Sequence, residues 1–233
     1  MPSPKSAADG PLPLILIVLT AVTGLVDAVS YLKLGHVFVA NMTGNVVILG
    51  FAAGGAAEFS VGVSLVAIGS FLLGALAGGR LGSNTGQHRG RFLALSTYAQ
   101  ATALAAALVV LLASFSVDDV ISAYALVVFL AFAMGLQNAT ARRLGVADLT
   151  TTVLTLTVTG LAADSHPAGG MHPNTGRRLA AIAAMFVGAF VGAVLVFRVS
   201  VSAALAVAVV LLSLTAIAGY RLSSSAAART AAK

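Results

Sequence analysis

Eight apolar runs, at about 12–34, 37–55, 61–79, 93–115, 119–139, 149–163, 179–197 and 200–220, restrict this chain to a bundle of membrane helices. A crossing helix needs about 20 mainly apolar residues, and most of the runs supply them. Only 9% of the 233 residues are charged, against about a quarter in a soluble domain. The expected fold is therefore an all-α integral membrane protein, with the lipid bilayer as its first partner. The net charge of +6 does not mark a nucleic-acid surface. Its basic residues stand at the ends of the runs, where they set topology, and no basic patch interleaves with aromatics. The absence of Cys removes disulfides, thiol chemistry and Cys-ligated metals.

The first eleven residues read as a disordered polar tail, 12–220 as one membrane domain, and 221–233 as a basic tail. The first run ends in no small-residue cleavage site, so it reads as a span and not as a removed signal peptide.

Two stretches put polar groups inside apolar runs, where they are costly and usually face a bundle interior or a water-filled cavity. From Gly24 to Gly50 these are Asp27, Asn41, Thr43 and Asn45, and from Gly135 to Gly160 they are Gln137, Asn138 and a series of threonines that includes Thr155 and Thr157. The stretches echo each other. Gly24-Leu25-x-Asp27-Ala28 returns as Gly135-Leu136-x-Asn138-Ala139, Leu34-Gly35 as Leu144-Gly145, and Thr43-x-Asn45 faces Thr155-x-Thr157. Gly74-x-x-x-Gly78 in the third run matches Gly188-x-x-x-Gly192 in the seventh. Small residues four apart let helices approach closely, either within one chain or between two copies, so a homodimer is one use of these faces. Two repeats follow, at about 12–115 and 119–220.

The second member of each repeat is unusual: 37–55 is interrupted by Asn-Met-Thr-Gly-Asn, and 149–163 is short and threonine-rich. Corresponding short or broken segments point to a transporter binding site. Charge gives an independent test. If all eight runs cross, the basic residues divide six against seven between the two sides. If the second and sixth re-enter, they divide eleven against two, with only Lys33 and Arg198 on the poorer side. The second count satisfies the positive-inside rule with both termini in the cytoplasm. The expectation is six spanning helices plus two re-entrant segments, with the repeats inverted.

Asp27 leads the candidate residues, on one helix face with Thr20, Thr23, Ser30 and Tyr31. It reads as an ion or proton site, or as a structural acid that binds the facing hairpin or caps a half-helix. Asn41, Thr43, Asn45, Gln137, Asn138, Thr155 and Thr157 can line a path for a small polar solute or ion, or satisfy the backbone of their own hairpins. Arg142, Arg143, Arg177 and Arg178 read as topology determinants. His88, His166 and His172 lie in hydrophilic loops without a convincing ligand set, so no metal is expected, and His36 reads as interfacial. No nucleotide-binding loop or nucleophilic triad can be placed, and neither an enzyme nor a cofactor is expected.

The motifs Gly24 to Asn45 (G-L-V-D-A-V-S-Y-L-K-L-G-H-V-F-V-A-N-M-T-G-N) and Gly135 to Thr155 (G-L-Q-N-A-T-A-R-R-L-G-V-A-D-L-T-T-T-V-L-T) resemble the YoaK-like bacterial membrane proteins of unknown function. The likeness covers about 12–220 and departs at Leu156, where that family typically has Gly. It implies a multi-pass protein of the bacterial inner membrane with about six helices, and supplies no substrate. The residues themselves favour a transporter or channel for a small polar solute or ion, coupled to protonation of Asp27. The alternative is a membrane scaffold or assembly factor that transports nothing.

Overall fold

A computed structural model describes residues 10–85, 88–114, 117, 119–146, 148–152, 154–171 and 174–224. The expected tails at 1–9 and 225–233, and His172, lie outside the described residues. The described residues form eight α-helices and one 3₁₀ turn, with no strand. Six helices are long and apolar enough to cross a membrane. They are α1 (Leu12–Lys33), α3 (Val61–Asn84), α4 (Arg89–Ser114), α5 (Val120–Leu144), α7 (Thr175–Arg198) and α8 (Val201–Ser224). Two are short: α2 (Met42–Ala53) has 12 residues and α6 (Leu154–Ala163) has 10. At 1.5 Å per residue these reach about 15–18 Å, half the thickness of a hydrocarbon core.

Local chemistry sets the boundaries. Pro13 sits in the first turn of α1, where a missing N–H costs nothing. Ser60 Oγ accepts the Val63 N–H at 3.3 Å to start α3, and Asp119 accepts the Ser122 N–H at 2.8 Å to start α5. Gly145, at φ 61°, ends α5 in the left-handed conformation. Two expectations need correction. The Asn-Met-Thr-Gly-Asn motif does not break a helix midway, because residues 37–41 are already non-helical and Asn41 is the N-cap of α2. Helix α8 runs on to Ser224, into the stretch expected as a tail from 221.

Helix directions follow from close contacts. Gly188 lies against the backbone of Ala21, and Gly192 against Leu25 O and Ala28 Cβ, so α1 and α7 run parallel. Gly74 lies against the backbone of Phe132 and Gly78 against Leu136 and Ala139, so α3 and α5 run parallel. Gly219 near the end of α8 meets Ala94 near the start of α4, which makes that pair antiparallel. Arg89 donates to Leu144 O at 2.6 Å, and Arg143 sits 5.8 Å over the Phe92 ring, so α4 and α5 are antiparallel. Only Val199 and Ser200 separate α7 from α8, which therefore reverses direction. Helices α1, α4 and α7 thus point one way, and α3, α5 and α8 the other. Because α1 and α3 oppose each other, α2 adds no net crossing between them, and α6 adds none between α5 and α7.

The hairpins close on themselves accordingly. His36, before α2, and Phe59, after it, have ring centroids 6.2 Å apart. Asp148, before α6, is bound by Asn174 and Arg178 at the start of α7. All four glycines of the two G-x-x-x-G motifs are used for contacts inside the chain.

Candidate functional site

Asp27 and Tyr31 lie one turn apart on α1 and face the first hairpin. His36 takes a φ of 57° and turns the chain back. The N–H groups of Val39 and Ala40 then donate to Asp27 Oδ1 at 3.0 and 2.9 Å. Oδ2 has no hydrogen-bond partner among the described residues. Asn45, fully buried, accepts the Phe38 N–H at 2.8 Å on Oδ1 and donates to Phe38 O from Nδ2. In the arm between α1 and α2 the N–H groups of Phe38, Val39 and Ala40 and the Phe38 carbonyl are therefore satisfied by the side chains of Asp27 and Asn45.

A cleft of about 840 Å³ opens where the two hairpins meet. Gly24, Asp27, Ala28 and Tyr31 of α1 form one wall, and Met185, Ala189 and Ala193 of α7 another. Asn41, Thr43 and Gly44 bring the N-terminus of α2 to it, and Thr152, Leu154 and Thr155 bring that of α6. Phe38, Phe51 and Phe59 add rings: Phe38 stacks on Tyr31 at 4.8 Å, and Phe51 and Phe59 lie 6.0 Å apart. No Lys, Arg or His lines the cleft among the described residues. The positive ends of two half-helix dipoles are thus offset by a single carboxyl.

Five of the nine sequence-predicted path residues meet at this cleft: Asp27, Tyr31, Asn41, Thr43 and Thr155. The other four stand apart from its wall. Asn45 is occupied with Phe38, and Gln137 donates to Leu19 O at 3.2 Å and Thr23 Oγ1 at 2.7 Å in the core. Asn138 donates to Met134 O and accepts from Thr152, while Thr157 is buried. Sequence reasoning did not single out Thr152 from its threonine series, and it missed the three Phe residues, a type that carries no signal in an apolar chain.

Arg178, read only as a topology determinant, is in addition buried. Its Nη2 meets Asp164 at 2.7 Å, its Nη1 donates to Gly160 O at 2.5 Å, and its Nε lies 3.0 Å from Asp148, off the line of a hydrogen bond. One guanidinium ties both ends of the second hairpin to α7. The flanking acids Asp148 and Asp164 were the available signal. Among the described residues no group of three His, Cys, Asp or Glu could hold a metal.

Comparison with known proteins agrees with this architecture. A family model described as "Protein of unknown function (DUF1275)" matches residues 15–218. The UPF0700 transmembrane protein YoaK of Bacillus subtilis (strain 168) is 37% identical over 155 residues. That alignment spans 65% of this chain and 65% of the relative's own length. No solved structure matches the chain.

Proposed function

The chain belongs to the DUF1275 family of multi-pass membrane proteins, and we propose that it carries a small solute or ion through the cleft at Asp27. The observation that carries the proposal is the meeting of two half-helix N-termini from two hairpins around a single acid. Membrane transporters place their sites at such discontinuous helices. We assign the protein no catalytic or cofactor role.

Correspondence between the halves supports an inverted repeat. Gly74 and Gly78 match Gly188 and Gly192, and the residues they meet, Phe132, Leu136 and Ala139, match Ala21, Leu25 and Ala28. The first-half triplet α1, α3, α4 and the second-half triplet α5, α7, α8 run in opposite senses. Of the ten described basic residues, Arg80, Arg89, Arg91, Arg142, Arg143, Arg177, Arg178 and Arg221 belong to the end where α1 begins, and only Lys33 and Arg198 to the other. By the positive-inside rule the first end is cytoplasmic, in a bacterial inner membrane. The first hairpin then enters from outside and the second from inside, so that each can gate one side.

A second reading has its own support. Asp27 Oδ1 is occupied by two backbone N–H groups, as in a structural acid of a scaffold protein. Single cysteines at Thr43 and Thr155, in a chain with no natural Cys, separate the two. Transport predicts that a membrane-impermeant maleimide reaches these sites in right-side-out vesicles and also in inverted ones. Labelling from neither side, or from one side only, overturns transport and leaves the scaffold.

A further inference from the structure

We infer that the cleft selects organic cations that carry an apolar body, an assignment that rests on the transport reading and names its substrate class. The chemistry of the wall is lopsided. Asp27 supplies a carboxyl with one oxygen free of hydrogen bonds, and no basic side chain lines the cleft among the described residues. Four aromatic rings line the cleft in two pairs, and His36, outside the lining, stands edge-on to Tyr31 at 5.3 Å and to Phe59 at 6.2 Å. Tyr31 and Phe38 stack with centroids 4.8 Å apart, and Phe51 and Phe59 tilt together at 6.0 Å. Aromatic faces attract a cation, and more strongly when it is desolvated. A carboxylate in the same cavity supplies its counter-charge, and a bound cation in turn favours the ionised acid.

An anion meets the opposite conditions. The N-terminal end of α2 would attract it, but the N–H groups of Val39 and Ala40 just before that helix already point to Asp27 Oδ1. An anion beside them would face an unneutralised carboxyl with no Arg or Lys to offset it. A neutral polar solute such as a sugar would hydrogen-bond the acid but leave its charge without a counter-charge. At about 840 Å³ the cleft has room for a ring and its substituents.

The test uses three probes of one shape and different charge: benzylammonium, benzoate and benzyl alcohol. Binding to the purified full chain in detergent is followed by titration calorimetry and by thermal stabilisation. Benzylammonium is expected to bind at least about tenfold more tightly than either companion, a gap that one unscreened charge pair in a partly buried site accounts for. Asp27→Asn, which keeps an oxygen acceptor for Val39 and Ala40, is expected to remove that preference. Tyr31→Leu is expected to weaken benzylammonium by about three- to tenfold, the range of a cation–π contact. Should Asp27→Asn fail to fold, the Tyr31→Leu result and the order of the three probes decide alone. Equal or tighter binding of benzoate or benzyl alcohol overturns the assignment, as does benzylammonium binding that ignores both substitutions, or no binding by any probe. The vesicle labelling of Thr43 and Thr155 variants is read without any ligand. A wrong substrate class with a correct transport reading therefore still shows two-sided labelling, and a failed transport reading does not.

Discussion

Thr152 donates its hydroxyl proton to Asn138 Oδ1 at 2.5 Å. In the proposed repeat the corresponding pair is Ala40 and Asp27, joined at 2.9 Å by a backbone N–H. Each hairpin is thus held to the first helix of its half by an oxygen acceptor at one place, an acid in one half and an amide in the other. Oδ1 of an asparagine at position 27 would offer the same acceptor to the two N–H groups as the carboxyl does.

Asp27→Asn should therefore fold and remain monodisperse, with thermal stability close to that of the parent. Asp27→Ala should not. It strands the N–H groups of Val39 and Ala40 away from any acceptor, at a cost on the order of 1–3 kcal/mol for a buried donor left unsatisfied. Fluorescence-detected size exclusion after a heating series reads both. Equal damage from the two substitutions would show that the charge, and not the acceptor, holds the hairpin.

Gly188 offers a test of packing. A Cβ there would overlap the carbonyl group of Ala21 in the neighbouring helix, and backbone cannot swing aside as a side chain can. Gly188→Ala should cost about 1–3 kcal/mol by forcing α1 and α7 apart. Gly79→Ala in α3 meets nothing within 4 Å and should be neutral or stabilising by up to about 1 kcal/mol. The contrast in midpoint temperature is the readout.

Arg178 should behave unlike its exposed neighbour in sequence type, Arg142. Its side chain is 9% exposed and anchors Asp148, Asp164 and Gly160. Removing the guanidinium leaves Asp148 short of its counter-charge, while water can take over at Asp164, which is 42% exposed, so the cost should be about 1–3 kcal/mol. Arg178→Ala should lower the midpoint and open the 146–175 region to protease, while Arg142→Ala should do neither.

Asp119, the exposed cap of α5, gives the pH dependence. Hydrogen bonds from the Ser122 hydroxyl and N–H hold its carboxyl below the ordinary value of 3.8. A carboxyl lowered in the folded state adds stability above its unfolded value, and loses it as pH falls through the folded one. Asp119→Ala should therefore lower the midpoint at pH 7. The gap from the parent should narrow only in acid below the ordinary carboxylate range, when the parent's own carboxyl protonates. A gap independent of pH would mean that the cap acts without its charge.

Much of this architecture was legible before any coordinates. Run length marked eight apolar segments, six of which form helices long enough to cross a membrane. The charge count singled out 37–55 and 149–163, and these hold the two short helices α2 and α6. What escaped the sequence was partner choice. Nothing in Gly74-x-x-x-Gly78 says that it meets Phe132 and Leu136 in its own chain and not a second copy. Phe38, Phe51 and Phe59 read like any lipid-facing ring until the first hairpin folds back beside Tyr31. Asn45 and Thr157 carried the same polar signal as Thr43 and Thr155, yet they turn inward, since two positions along a helix rotate a side chain by about 200°.

Membrane topology remains the prediction with the widest reach. Ala57 lies in the exposed turn after α2, and Ser83 in the exposed last turn of α3. With α1 opposed to α3, these two positions fall at opposite ends of the bundle, and the basic residues gather at the end of Ser83. In intact cells, a single cysteine at Ala57 should react with an impermeant maleimide, and one at Ser83 only after the membrane is opened. The reverse pattern would put the arginine-rich end outside, against the charge rule. Each hairpin would then gate the opposite side from the one assigned. Reaction of both positions from one side would contradict the opposed directions of α1 and α3, and with them the proposal that two hairpins reach Asp27 from opposite faces.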